Sequence, residues 1–205
     1  MFDLFAAVII AYLMGSLSGS LILGRLRRVD IRKLGSGNAG GTNALRTQGI
    51  WFALGVVVID VGKAVLAVAL LPGWLGADLE SARILCAFAA VLGHCYPVWH
   101  GFRGGKGAAT AVGALAVIQA WLLLPMLSTW VIVLVLSGYV GLATVLAGLS
   151  LVPAALIMDS SPRVIALCAV LAVFMAFTHR ANLARLKAGT ENQFERIMVF
   201  RRGKE

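Results

Sequence analysis

The chain has 205 residues, 60% of them hydrophobic and 13% charged, with a formal net charge of +9. A soluble domain carries about 25% charged and about 45–50% apolar residues, so this chain has too little polar surface to cover a water-soluble globule. Its pI near 10.2 would suggest nucleic acid in a soluble protein, but the placement of the charges assigns them to membrane topology and excludes that partner.

A membrane helix needs about 20 apolar residues, and spans are predicted in chain order at 4–23, 50–71 and 82–99. The first has Asp3 ahead of it and Arg25, Arg27 and Arg28 behind it. That is the reverse of a secretory signal and predicts a first membrane helix with its N-terminus outside. Inside the second span, Asp60 and Lys63 stand three apart, a spacing that predicts pairing across one helical turn. Ionised groups at that depth are functional candidates. Trp51, Trp74 and Trp99 near span ends read as interfacial anchors.

Residues 108–178 lack a strong polar break before Asp159 and are too long for two helices. Pro125, Ser137-Gly138 and Gly148 guide a division into helices at 108–122, 123–138, 141–158 and 163–178. Two long helices with an interfacial piece are the alternative. The expected fold is an all-α polytopic membrane protein of about seven transmembrane helices, its C-terminus cytoplasmic, with 1–205 forming one domain.

Of the 18 basic residues, all but Lys63, Arg83 and Arg163 fall in the loops 24–49 and 100–107 or the tail 179–205, the tail including Arg196, Arg201, Arg202 and Lys204. The opposite loops hold Asp3, Asp78, Glu80 and Asp159. Positive charge marks the cytoplasmic side.

Three segments on that side depart from ordinary loop composition. The first runs from Asp30 to Arg46, DIRKLGSGNAGGTNALR. Gly35, Gly37, Gly40 and Gly41 allow a backbone with positive φ that turns N–H groups toward an anion. Ser36, Asn38, Thr42 and Asn43 add short donors, and Arg32, Lys33 and Arg46 add charge. The second, Gly93 to Thr110, sets Lys106 among Gly104, Gly105 and Gly107 just before a predicted helix, whose N-terminus favours anions. It is not a Walker A loop, because His100 and Gly107 stand where glycine and Ser/Thr belong. The third, Thr178 to Glu191, places His179, Asn182 and Arg185 on one face if the last membrane helix continues.

No carboxylate cluster accompanies these groups. Asp30 and Glu191 are too isolated for a metal cage, so neither metal nor cofactor is expected. Cys86, Cys95 and Cys168 are odd in number, without metal-ligand spacing, and read as small buried hydrophobes. His94 and His100 read as loop hydrogen-bonders rather than bases. A metal-free site with two anion-binding nests suits two substrates that both carry phosphate.

Asp30–Arg46, Gly93–Gly107 (GHCYPVWHGFRGGKG) and His179–Glu191 (HRANLARLKAGTE) resemble, in order, spacing and membrane setting, the three signature motifs of the acyl-phosphate-dependent glycerol-3-phosphate acyltransferases, the PlsY family. One departure is Ser18, in Gly15-Ser-Leu-Ser-Gly-Ser20, where the family pattern has proline. No residue there forces the helix to bend.

The resemblance implies acyl transfer from acyl phosphate to the 1-hydroxyl of glycerol 3-phosphate, giving lysophosphatidic acid and phosphate. It implies a seven-helix protein of the bacterial inner membrane, among membrane lipid, with its site facing the cytoplasm. It also implies functional coupling to the enzyme that forms acyl phosphate. Ser36, Arg46, Lys106, His179 and Asn182 become the catalytic set. Gly35, Gly37, Asn38, Thr42, Asn43, Gly104, Gly105 and Gly107 become substrate and phosphate binders, and Glu191 a structural prop. The His-x4-acid pattern of another acyltransferase class is absent: Trp99, Gly105 and Ala184 follow His94, His100 and His179. A transporter of a phosphorylated small molecule is the alternative, and would need a polar path beyond Asp60 and Lys63. A lipid-binding scaffold would need no glycine nests.

Overall fold

The computed structural model describes residues 2–74, 79–194 and 198. Asp78, Arg196, Arg201, Arg202, Lys204 and the side chain of Trp74 lie outside the described residues. Every regular element among those described is helical. The chain divides into two compact units, Met1–Ala120 and Trp121–Glu205.

The first unit holds α1 (Phe2–Gly15), α2 (Gly19–Leu26), α3 (Gly41–Gln48), α4 (Ile50–Trp74), α5 (Leu79–Cys95) and α6 (Ala108–Ile118). In lipid, helices gain little from hiding apolar surface and associate by close packing, which small residues permit. A Cβ on Gly15 of α1 would overlap the Ala90 carbonyl of α5, and one on Gly93 of α5 would overlap the Tyr12 carbonyl. Gly113 lets α6 approach Val61 of α4 in the same way. Large apolar side chains such as Phe5, Val58 and Trp51 face outward, the arrangement a lipid solvent requires.

Between α1 and α2 the helix axis bends by 45°, although Ser18 replaces the proline. Residues 16–18 leave the helix, with Ser18 at φ −81°, ψ 118°. The groups freed by the break are met from α4: Lys63 Nζ donates to the Leu17 carbonyl (2.9 Å) and the Gly19 N–H donates to Asp60 Oδ1 (3.0 Å). The bend is a tertiary feature, held by the very pair whose spacing predicted mutual contact. That pair does meet, Nζ to Oδ1 at 3.0 Å.

The second unit holds α7 (Leu123–Ser137), α8 (Val140–Ile157), α9 (Pro162–Thr178) and α10 (Arg180–Lys187). Residues 108–178 thus form four helices, as expected. Breaks fall at Gln119, Gly138-Tyr139 and 158–161, while Gly148 lies within α8. Pro125 is tolerated as the third residue of α7, where its missing N–H has no intrahelical partner to lose. A second bend, of 55°, separates α9 from α10.

Among the described residues, four helical segments are long and apolar enough to cross a membrane, Ile50–Gly73, Glu80–His100, Ala120–Ser137 and Val140–Ile157, and up to six if each bent pair is one span. The segment expected as a crossing at 108–122 supplies only the 11-residue α6. At 1.5 Å per residue α6 is roughly half the thickness of the hydrocarbon core.

Candidate active site

The first glycine-rich segment is a loop wound around one side chain. Asp30 opens it by accepting the Arg32 N–H (3.0 Å) and caps the turn Ile31–Lys33. Gly35 and Gly37 take positive φ (55° and 72°), whereas Gly40 is extended at −135° and caps α3. At the centre lies Asn43, 1% exposed. The two hydrogens on its Nδ2 are shared among the carbonyls of Ile31, Leu34 and Asn38 at 3.0–3.1 Å, and its Oδ1 accepts the Ser36 N–H at 2.9 Å.

This changes the expected nest. The Ser36 N–H is spent on Asn43, and the Gly37 N–H on the Leu34 carbonyl (3.0 Å). Gly35 fits because a Cβ there would overlap Asn43 Oδ1. Asn43 itself, expected as an anion donor, has its amide committed to the loop backbone. The loop leaves the Lys33 and Ser36 side chains exposed, as α3 does Arg46 in its last turn. Thr42 and Asn38 are half-buried beside them.

The second segment lies against the end of α5. The Gly105 and Gly104 N–H groups donate to the carbonyls of His94 and Cys95, both at 3.1 Å, closing carbonyls that a helix C-terminus leaves open. These two amides are therefore not available to an anion. Gly107, buried and at φ 91°, turns the chain into α6. The first N–H groups of α6 have no intrahelical partner by geometry, and they carry the positive end of the helix dipole. Half-buried Lys106 stands one residue ahead of that turn.

The structure brings these two segments together. Arg32 forks onto Asp30, Nε to Oδ1 and Nη2 to Oδ2 at 3.0 Å each. Its Nη1 crosses to the carbonyls of His100 (3.0 Å) and Arg103 (3.4 Å). The Arg32 hydrogen bond holds the Asp30 carboxyl below its ordinary range, and Asp30 raises the guanidinium in return. Arg32, read from the sequence as loose charge, is thus a tie. At the other end of the junction Gly105 fits between the Ala39 carbonyl, 2.9 Å from where a Cβ would stand, and the His94 ring.

The third segment belongs to the second unit. The last membrane helix does not continue straight: it ends at Thr178, and buried His179 sits at the break as the cap of α10. His179 Nδ1 lies 2.9 Å from the Met175 carbonyl. A carbonyl only accepts, so Nδ1 carries the proton in this contact. One turn on, Asn182 Nδ2 donates to Glu191 Oε1 (2.6 Å) and Arg185 Nε to Glu191 Oε2 (2.7 Å). Asn182 and Arg185 do share a face. Gly141 of α8 allows the Asn182 side chain to lie directly on the α8 backbone, a contact no sequence spacing announced. Among the described residues no group of three His, Cys, Asp or Glu side chains could hold a metal.

The family model described as glycerol-3-phosphate acyltransferase matches residues 5–189, through both units. A glycerol-3-phosphate acyltransferase of Shouchella clausii is 41% identical over 203 residues, covering 93% of this chain and 96% of that one. One from Rhizobium etli is 39% identical over 189 residues, covering 92% and 90%. The crystal structure of PlsY (YgiH), an integral membrane glycerol 3-phosphate acyltransferase in its glycerol 3-phosphate form, superimposes with a TM-score of 0.86 at 32% identity. It covers 93% of this chain and 95% of that one. Its lysophosphatidic acid form gives a TM-score of 0.84. With the matching model running through nearly the whole chain, this protein belongs to the glycerol-3-phosphate acyltransferase family.

Proposed function

We propose that this protein transfers a fatty acyl group from acyl phosphate to the 1-hydroxyl of glycerol 3-phosphate, releasing lysophosphatidic acid and phosphate. It does so as one catalytic domain that crosses a bacterial inner membrane about seven times. The N-terminus is outside, and the C-terminus and reaction site face the cytoplasm. The observation that carries this reading is the tying of the two glycine-rich loops by Arg32 and at Gly105. That junction joins the segment that carries Ser36 and Arg46 to the one that carries Lys106, and hydroxyl, guanidinium and ammonium groups suit a phosphate. The crystal forms of the PlsY relative, with glycerol 3-phosphate and lysophosphatidic acid, support the acceptor and product.

The chemistry asks little beyond alignment and charge. Acyl phosphate is a mixed anhydride. The glycerol hydroxyl oxygen attacks its carbonyl carbon, a new C–O bond forms, and the anhydride C–O bond breaks. Phosphate departs with the electron pair, and a phosphate oxygen takes the hydroxyl proton. The protein holds the two reactants in register and stabilises the oxyanion and the leaving phosphate. Lys106 and Arg46 offset the two phosphates, Ser36 and Asn182 donate hydrogen bonds, and Glu191 fixes Asn182. His179 completes the catalytic set. The enzyme that makes acyl phosphate is its functional partner.

The test is lysophosphatidic acid formation by detergent-purified protein given glycerol 3-phosphate with acyl phosphate, acyl-CoA or acyl carrier protein thioester. Product from acyl phosphate alone is expected. Product only from a thioester would overturn the donor, and no product from folded protein would overturn the reaction.

A further inference from the structure

Asp60, Lys63 and His94 lie 1%, 6% and 3% exposed, and nothing in the reaction just described uses them. Lys63 Nζ meets three acceptors: the Leu17 carbonyl (2.9 Å), Asp60 Oδ1 (3.0 Å) and His94 Nδ1 (2.9 Å). An ammonium has three N–H donors, so each acceptor receives one. His94 Nδ1 is then the accepting lone pair, and the ring proton sits on Nε2. Asp60 Oδ1 also accepts the Gly19 N–H and lies 3.4 Å from His94 Nδ1. Burying such a set is costly unless each charge is matched. Here the pair is neutral overall and the imidazole extends it toward α5.

The far edge of that imidazole ends on the second glycine loop. A Cβ on Gly105 would overlap His94 Nε2 and lie 2.8 Å from Cε1. The Gly105 N–H is held by the carbonyl of the same histidine at 3.1 Å. His94 therefore fixes Gly105 twice, through ring and backbone, one residue before Lys106. From Asp60 to Lys106 the contacts are continuous and lie within the first unit.

We infer that Asp60, Lys63 and His94 are positioning residues that set the Gly104–Gly107 loop, and through it Lys106, for the phosphate of the acceptor substrate. The inference rests on the proposed reaction only for the identity of that substrate. If the trio merely stabilised the fold, its loss would lower stability without distinguishing one substrate from the other.

The experiment compares wild type, His94→Ala and His94→Gln, with the double variant Asp60→Asn/Lys63→Met as a second route should His94→Ala fail to fold. The double variant removes both charges at nearly constant shape. In His94→Ala and the double variant, KM for glycerol 3-phosphate should rise about tenfold or more while KM for acyl phosphate changes by less than about twofold. His94→Gln, whose amide reaches the place of Nε2, should recover most of the difference. Hydrogen exchange gives a reading independent of turnover: amides of 104–107 should exchange faster in His94→Ala, with those of α4 unchanged. Equal shifts in both KM values, or unaltered exchange at 104–107 in folded variants, would overturn the inference. An inactive wild type whose His94→Ala exchange still changes at 104–107 would overturn the reaction and leave the positioning standing.

Discussion

The Ser36 N–H donates to Asn43 Oδ1 across seven residues at 2.9 Å, so the first glycine-rich loop is organised from inside by an amide rather than from outside by a ligand. The same amide, through Nδ2, gathers three carbonyls. The shape that presents Ser36 is thus built from the chain's own groups.

Asn43→Ala should unfold earlier than wild type, by about 2–3 kcal/mol from two donated bonds and one accepted at roughly 1 kcal/mol each. Asn43→Asp should be worse than alanine. It keeps the acceptor for Ser36 but turns a carboxylate oxygen toward the carbonyls of Ile31, Leu34 and Asn38. Thermal unfolding in detergent ranks the two, and a more stable aspartate variant would contradict the scaffold.

Lys106→Ala and Arg46→Ala should remain folded and lose turnover by about 100-fold or more, the usual scale for removing a charge from a phosphate or oxyanion site. Initial rates of lysophosphatidic acid formation, beside an unchanged elution profile, decide it. Wild-type rates in either variant would remove the anion site.

The Asp30–Arg32 fork gives a signed pH dependence. The folded carboxyl of Asp30 titrates below its ordinary value. The stability it adds is present above about pH 4 and is lost as pH falls through the folded pKa. The pair is part-exposed, so the gap between wild type and Asp30→Asn should be at most about 1 kcal/mol at pH 7. Melting curves from pH 7 down to pH 3 should show that gap close; a gap that widens on acidification would refute the sign.

Glu191→Gln should lower kcat/KM by about tenfold and Glu191→Ala by about 100-fold, because the amide keeps an acceptor for one donor while alanine removes the Asn182 and Arg185 bonds together. Kinetics with saturating acyl phosphate test the order of the two. Equal losses would mean that only the charge matters.

Much of this was legible because lipid-facing sequence is monotonous, and anything polar within it stands out. The glycine clusters and the Asp60–Lys63 spacing are local patterns: the clusters fall where the chain leaves its helices, and the spacing marks a pair that meets at 3.0 Å. What could not be read depends on contacts between distant residues. His94 receives Lys63 from another helix 31 positions away, and no periodicity reports that. The α1–α2 bend survives without proline because its freed groups are satisfied by α4. The α9–α10 bend at His179 likewise lacks a proline or glycine to announce it. Asn43 looked like a ligand donor because a short amide among glycines has the same composition whether it faces in or out.

The broken first span carries a consequence for how the molecule is assembled. A continuous apolar helix can enter the bilayer with every backbone group already paired. In its bent form the α1–α2 segment cannot, because its Leu17 carbonyl and Gly19 N–H are met by Lys63 and Asp60. Those partners are synthesised later in the chain, and each charge of the pair also needs the other. Neither span reaches its final form alone. The first must wait, straight or hydrated at the break, until the second arrives, so the two are best regarded as a single unit of insertion.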